Sequence, residues 1–191
     1  MVRPREFDTQ TAIDQALRVF RKQGYKGSSL HDLIRAMGIS KSSFYETFGS
    51  KYELFLTTLI RFHKTEAIYQ FTDPTINIPA KSLISDMFRQ LIDSVINGTG
   101  GCMFGNSAVE FSGTDPKVTA QIANGINQLE EVFYQILMRE QKNRTISAQH
   151  NLRNIARQLT ATFYGLQVMA NANLNREVLN EIASNATAIL D

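Results

Sequence analysis

Three features of this 191-residue chain predict an all-α fold of nine helices. Apolar residues recur every three to four positions in successive segments, no segment alternates as a strand would, and caps, glycines and prolines separate the segments. The first helix is expected to begin at Asp8 or Thr9, bury Ile13, Ala16, Leu17 and Phe20, and end before Gly24. The second opens at Ser29 with Asp32 three residues on, a capping-box start whose acid suits the positive end of a helix. Leu30, Leu33, Ile34 and Met37 form its apolar face, and Gly38 follows where a left-handed turn ends a helix. Ser40 caps the third helix, Lys41 to Phe48, and Ser50-Lys51-Tyr52-Glu53 opens a fourth that is expected to reach Phe71, before Asp73-Pro74.

Five more helices complete the series. The fifth buries Ile84, Met87, Phe88, Leu91 and Val95, and glycine-rich residues 97–101 break the chain before a short helix near Cys102. Asp115-Pro116 is a cap and first-turn pair for a long helix carrying Val118, Ile122, Leu129, Phe133 and Ile136. The next starts at Ser147 or Ala148, with Leu152, Ala156, Leu159, Phe163, Leu166 and Ala170 on one face. Residues 171–175 interrupt it, and the last helix carries Leu179, Ile182, Ala183, Ala186 and Leu190.

The second and third helices carry the chemistry. Phe44 and Phe48, four residues apart, anchor one side of the third helix. Lys41, Ser42, Ser43, Glu46 and Thr47 are left outside, with Tyr45 at the edge. Short hydroxyl side chains let a helix lie close to base edges, so Ser42, Ser43, Glu46 and Thr47 are expected to face bases, while Lys41 and Tyr45 hold phosphates. Ser28 and Ser29 at the start of the second helix, and Lys51 with the free amides of the fourth, are further candidate phosphate contacts.

The segment from Phe7 to Phe55 resembles the DNA-binding domain of TetR-family bacterial transcriptional regulators. The matching strings are A-L-R-V-F-R-K-Q-G-Y, S-S-L-H-D-L and M-G-I-S-K-S-S-F-Y-E-T-F-G-S-K-Y-E-L-F, about a quarter of the chain. The resemblance implies an N-terminal three-helix helix-turn-helix domain over 1–50 and a larger helical ligand-sensing and dimerisation domain over 51–191. It also implies that the basic arm holding Arg3 and Arg5 reaches toward the minor groove or backbone, although a disordered tail explains the same residues. Glu46 departs from the family pattern, where an amide or histidine is common, so no relative's operator sequence can be carried over. An acid here either favours a cytosine edge or repels phosphate.

Charge supports that division. Residues 1–64 hold 11 Lys+Arg and 6 Asp+Glu, a net of +5, whereas residues 65–191 carry −3 within an overall +2. A basic end on a mildly acidic body is the footprint of phosphate binding by one end. The N-terminus is too polar for a signal peptide, and no run is long enough to span a membrane. A single cysteine excludes an internal disulfide framework and fits a reducing cytoplasm.

In proteins of the resembled family the inducer binds within the larger domain, and Phe62, Phe88, Phe104, Phe133 and Phe163, with Asn106 and Gln167 as polar handles, are the expected lining of such a pocket. Taken singly, each is better explained as core, and only together do they suggest a pocket. Cys102 follows Gly100-Gly101 in the string G-C-M-F-G-N, similar to family members that sense electrophiles or oxidants through a cysteine. An electrophile sensor and an inert buried thiol both fit it. Ala161, Gly165, Val168 and Ala172 form a second, small-residue stripe on the eighth helix, and with Ile182 and Ala186 they are the expected interface of a homodimer reading a palindromic site. Tight packing within one chain is the alternative.

Catalysis is not expected. His31, His63 and His150 are isolated, without metal-ligand spacing, and no nucleophile motif or nucleotide-binding glycine loop is present. No cofactor or metal is expected. The leading expectation is a dimeric repressor of double-stranded operator DNA, released by a small molecule or by modification of Cys102. An architectural DNA-binding protein without an inducer is the rival.

Overall fold

The computed structural model describes residues 7–65, 78–98, 102–111, 113–143, 146–147 and 149–190, with the side chains of 63–65 excepted. Among these residues the chain forms nine α-helices and no strand: α1 (Thr9–Gly27), α2 (Leu30–Met37), α3 (Lys41–Phe48), α4 (Lys51–Thr65), α5 (Ala80–Ile96), α6 (Met103–Phe111), α7 (Pro116–Lys142), α8 (Leu152–Asn171) and α9 (Arg176–Thr187). A 3-10 turn, Ala188–Leu190, follows α9. No described helix is long and apolar enough to cross a membrane.

Two compact units divide the chain: Met1–Thr65 with Cys102–Ile122, and Glu66–Gly101 with Ala123–Asp191. In the first unit α4 and α6 both pack against α1, and α4 also meets α3 and α6. Phe20 of α1 meets Phe55 of α4 edge-on at 5.1 Å, and Phe55 stacks on Phe111 of α6 at 5.4 Å. Asp14 and Arg61 join α1 to α4 through a two-pronged ion pair at 2.8 and 3.0 Å. Leu33, Phe44, Leu54 and Leu59 are fully buried here, each contributing about 1.5–3 kcal/mol of apolar burial.

In the second unit, α5, α8, α9 and the later turns of α7 enclose a core in which Phe88, Phe133 and Phe163 form a triangle of rings 6.1 to 6.4 Å apart. Arg153 bridges α8 to α7, pairing with Glu131 at 2.9 Å and lying over the Tyr134 ring at 3.7 Å.

Most helix starts follow their local caps. Asp8 accepts the Thr11 amide at 2.6 Å, Asp115 the Val118 amide at 3.0 Å and Asn175 the Glu177 amide at 3.0 Å. Two boundaries differ from expectation. α8 starts at Leu152, not at Ser147 or Ala148, since Asn151 supplies the cap by accepting the Asn154 amide at 3.1 Å. Beyond Gly24 the chain makes another helical turn to Gly27, across a kink where Gly24 adopts φ 71° and ψ 179°. The end expected for α4 near Phe71, like Ala148, lies outside the described residues.

Candidate nucleic-acid interface

The α2–turn–α3 unit is built from local hydrogen bonds. Ser29 and Asp32 complete the capping box: the Asp32 amide donates to Ser29 Oγ at 3.0 Å, and the Ser29 amide donates back to the Asp32 carboxylate at 3.4 Å. The Ser29 hydroxyl also donates to that carboxylate, at 2.6 Å, and the hydroxyl and the amide together hold the Asp32 carboxyl below the usual carboxylate range. Gly38 is left-handed at φ 67° and ψ 30°, a conformation that costs glycine little. The next amide, from Ile39, closes back on the Ile34 carbonyl at 3.3 Å, and the Ile39 side chain is buried.

On α3, the buried rings of Phe44 and Phe48 lie 5.8 Å apart and fix which face turns outward. Lys41, Ser42, Tyr45 and Glu46 are exposed, and Ser43 and Thr47 are half-buried. Ser40 accepts the Ser43 amide at 3.1 Å, and its hydroxyl lies 2.9 Å from those of both Ser42 and Ser43. Ser40 was absent from the sequence-derived set. Its capping role hid the fact that it preorganises the two expected base-facing hydroxyls.

The phosphate candidates separate. Ser28 is a correction: it is 1% exposed, and its hydroxyl donates inward to the carbonyls of Gly24 and Tyr25, so its oxygen is spent on closing the kink after α1. Ser29 remains exposed beside its box. Lys51 stands at the first position of α4 with Nζ 4.4 Å from the centroid of the Tyr25 ring. Burial lowers its pKa and the Glu110 carboxylate opposes that shift. It lies on an aromatic face and is half-buried. Arg3 and Arg5 lie outside the described residues.

The expected sensing residues fall into two groups, one in each unit. In the first, Phe62 and Phe104 meet edge-on at 5.0 Å, and Cys102 is 4% exposed with its sulfur accepting the Gly105 amide at 3.4 Å. Asn106 is exposed and lines no apolar interior. In the second unit, Phe88, Phe133 and Phe163 are buried together, and Gln167 is buried with no hydrogen-bond partner for Oε1 among the described residues. A cavity of about 330 Å³ opens at the ends of α5 and α8, lined by residues such as Val95, Ala170, Leu174 and Arg176 and by none of the expected eight.

Of the expected interface residues, Val168 is 64% exposed, Ala161 and Ala172 are exposed, and Gly165 and Ile182 are half-buried. Ala186 is a correction: at 7% exposure it faces inward and joins the core of its own unit. Met169 and Val178 add exposed apolar surface that the small-residue pattern did not flag.

The family model described as bacterial regulatory proteins, tetR family, matches residues 12–58, and that described as tetracyclin repressor-like, C-terminal domain, matches residues 83–185. The whole chain is 28% identical to the whole of YezE of Bacillus subtilis (strain 168), an uncharacterized HTH-type transcriptional regulator. It is 24% identical to the HTH-type transcriptional repressor ComR of Escherichia coli (strain K12), over 95% of this chain and 88% of ComR. Among solved structures it resembles CifR, a TetR family transcriptional regulator solved as a cysteine mutant with 26-bp double-strand operator DNA. That match has a TM-score of 0.81 at 25% identity and covers 97% of this chain and 98% of CifR. The helix-turn-helix unit, the nine-helix order and both matched regions agree: the chain belongs to the TetR family of bacterial regulatory proteins, which are transcriptional regulators and not enzymes.

Proposed function

We propose that this protein is a cytoplasmic, dimeric repressor that reads a palindromic operator through α3 and is released by a small molecule. One observation carries the reading. Two buried phenylalanines hold α3 so that Ser42, Ser43, Glu46 and Thr47 share a solvent-facing surface flanked by Lys41 and Tyr45. Hydroxyls and one carboxylate suit base edges, and the flanking groups suit phosphates. The operator duplex in the CifR structure and the repressor named ComR support the same reading. Selection of duplexes from a random pool by the purified protein, followed by titration, tests it. A palindromic consensus bound by two chains is expected, and binding without sequence preference defeats it.

For the inducer, the support is the aromatic triangle of Phe88, Phe133 and Phe163 together with the orphaned oxygen of Gln167. A buried acceptor without a donor costs about 1–3 kcal/mol, and a ligand bearing an O–H or N–H on an apolar body recovers it. Release requires that such a ligand bind the DNA-incompetent state more tightly than the competent one. Competition of apolar phenols and amides against bound operator is the test. If none releases DNA, the inducer-free architectural reading gains.

A second reading rests on Cys102. Its sulfur accepts the Gly105 amide in the first turn of α6, next to the apolar contact of Phe62 and Phe104. An α,β-unsaturated carbonyl would add across its double bond, with sulfur bonding to the β-carbon and the thiol proton ending on the α-carbon. Burial of the thiol slows that step. Release by such an electrophile in the native protein but not in Cys102→Ser supports the reading, and equal response in both excludes it.

A further inference from the structure

Beyond Gly24, α1 restarts as a new helical turn, which leaves its first amides without partners. A helix start is ordinarily capped by its own side chain, but the residue at this place is glycine. The missing oxygens come from α6. Glu110 Oε2 accepts the Tyr25 amide at 2.8 Å, and Oε1 accepts the Lys26 amide. The Lys26 ammonium returns the contact by donating to the Glu110 carbonyl at 3.2 Å.

Glycine is what permits this arrangement. Its φ of 71° with ψ 179° is essentially closed to other residues, and a Cβ there would stand 3.0 Å from Glu110 Oε2. The turn so capped runs straight into the reading unit: the Ser28 hydroxyl ties back to Gly24 and Tyr25, and Ser29 begins α2. Rings also converge on the turn, with Tyr25 set 5.0 Å from Phe55 and 5.4 Å from Phe111.

We propose that Glu110 is a positioning residue for DNA reading: a cap supplied by α6 that fixes the angle at which the chain leaves α1 and thereby the pose of α2 and α3. This rests on α3 being the reading helix and adds a residue 85 positions from the turn it controls. Two parallel amides need two acceptors. A glutamine of the same shape brings one acceptor and one donor, so Glu110→Gln breaks the cap nearly as fully as Glu110→Ala.

The experiment compares wild type, Glu110→Gln and Glu110→Ala on two duplexes: one selected from a random pool by wild type, and a scrambled copy. Thermal unfolding and amide exchange at Tyr25 and Lys26 are followed in parallel. The expected result is faster exchange at those two amides, a cooperative melting curve lowered by only a few degrees, and a ratio of selected to scrambled affinity reduced by about tenfold, the scale of one lost base contact. An unchanged ratio overturns the proposal. So does an equal loss on both duplexes, or unfolding of both variants, because either makes Glu110 a stabilising residue and no more. If wild type itself selects no sequence, the DNA-reading assignment fails first and the positioning role falls with it.

Discussion

The Tyr52 phenol oxygen lies 2.9 and 2.8 Å from the two carboxylate oxygens of Asp115, joining the second residue of α4 to the residue that caps α7. One hydroxyl hydrogen is shared between both oxygens, and the negative charge facing it holds the phenol protonated, with its pKa pushed from 10 up to about 12. The folded protein therefore binds a proton that the unfolded chain releases. The stabilisation is complete below pH 10 and is lost as pH rises toward about 12. Thermal melts across that window should fall more steeply for wild type than for Tyr52→Phe, and parallel curves would remove the bond from the account.

The acid limb has a different origin. Asp14 is held below the usual carboxylate range chiefly by its hydrogen bonds to Arg61, and Asp115 chiefly by the Val118 amide. A depressed pKa stabilises above the ordinary carboxylate value and is forfeited as pH drops through the folded one. Both partners of the Asp14–Arg61 pair are partly exposed, so Asp14→Asn is expected to cost only about 0.5–1 kcal/mol at neutral pH after screening. The deficit should shrink on acidification and in high salt, measured by denaturant titration.

Gly24→Ala tests the kink independently of DNA. Forcing a side chain into that backbone conformation is expected to cost about 1–3 kcal/mol, read as a lower denaturation midpoint. A neutral outcome would mean the kink relaxes freely.

Two kinds of contact on α3 should respond differently. Lys41→Ala and Tyr45→Ala weaken binding to all duplexes, and Lys41→Ala lowers the salt slope by about 1. Thr47→Ala and Ser42→Ala lose about 1–3 kcal/mol on the preferred sequence only. Titrations on the selected duplex and on single-base variants separate these. Uniform losses from all four would remove Ser42 and Thr47 from base reading.

Val168, 64% exposed on α8, belongs to the expected self-association face. Val168→Glu should weaken dimerisation by at least about tenfold, because burying an unpaired carboxylate is costly. Sedimentation decides this, and an unaltered dimer places the interface elsewhere.

Most helix positions, the caps and the exposed face of α3 were legible in the residues because each is satisfied within a turn or two of itself. Ser29 reaches Asp32, Ser40 reaches Ser43, and Gly38 needs only its own freedom. The spacing of Phe44 and Phe48 was enough to turn Ser42, Glu46 and Tyr45 outward. The start of α8, expected at Ser147 or Ala148, was misplaced, because Asn151 is the residue that meets a free amide.

The rest depended on partners that no local pattern names. Ser28 resembles Ser29 in type and position, yet the kink carbonyls claim it. Ala186 was expected at the dimer interface beside the small-residue stripe of α8, yet the packing of α9 turns it inward. The orphaned oxygen of Gln167 and the Glu110 cap likewise exist only once distant helices have met. Periodicity and capping act over a few residues, so they settled which helices form and which face of α3 meets solvent. Which polar groups are spent inside the protein, and which remain for a ligand or a duplex, was decided by contacts between helices far apart in the chain.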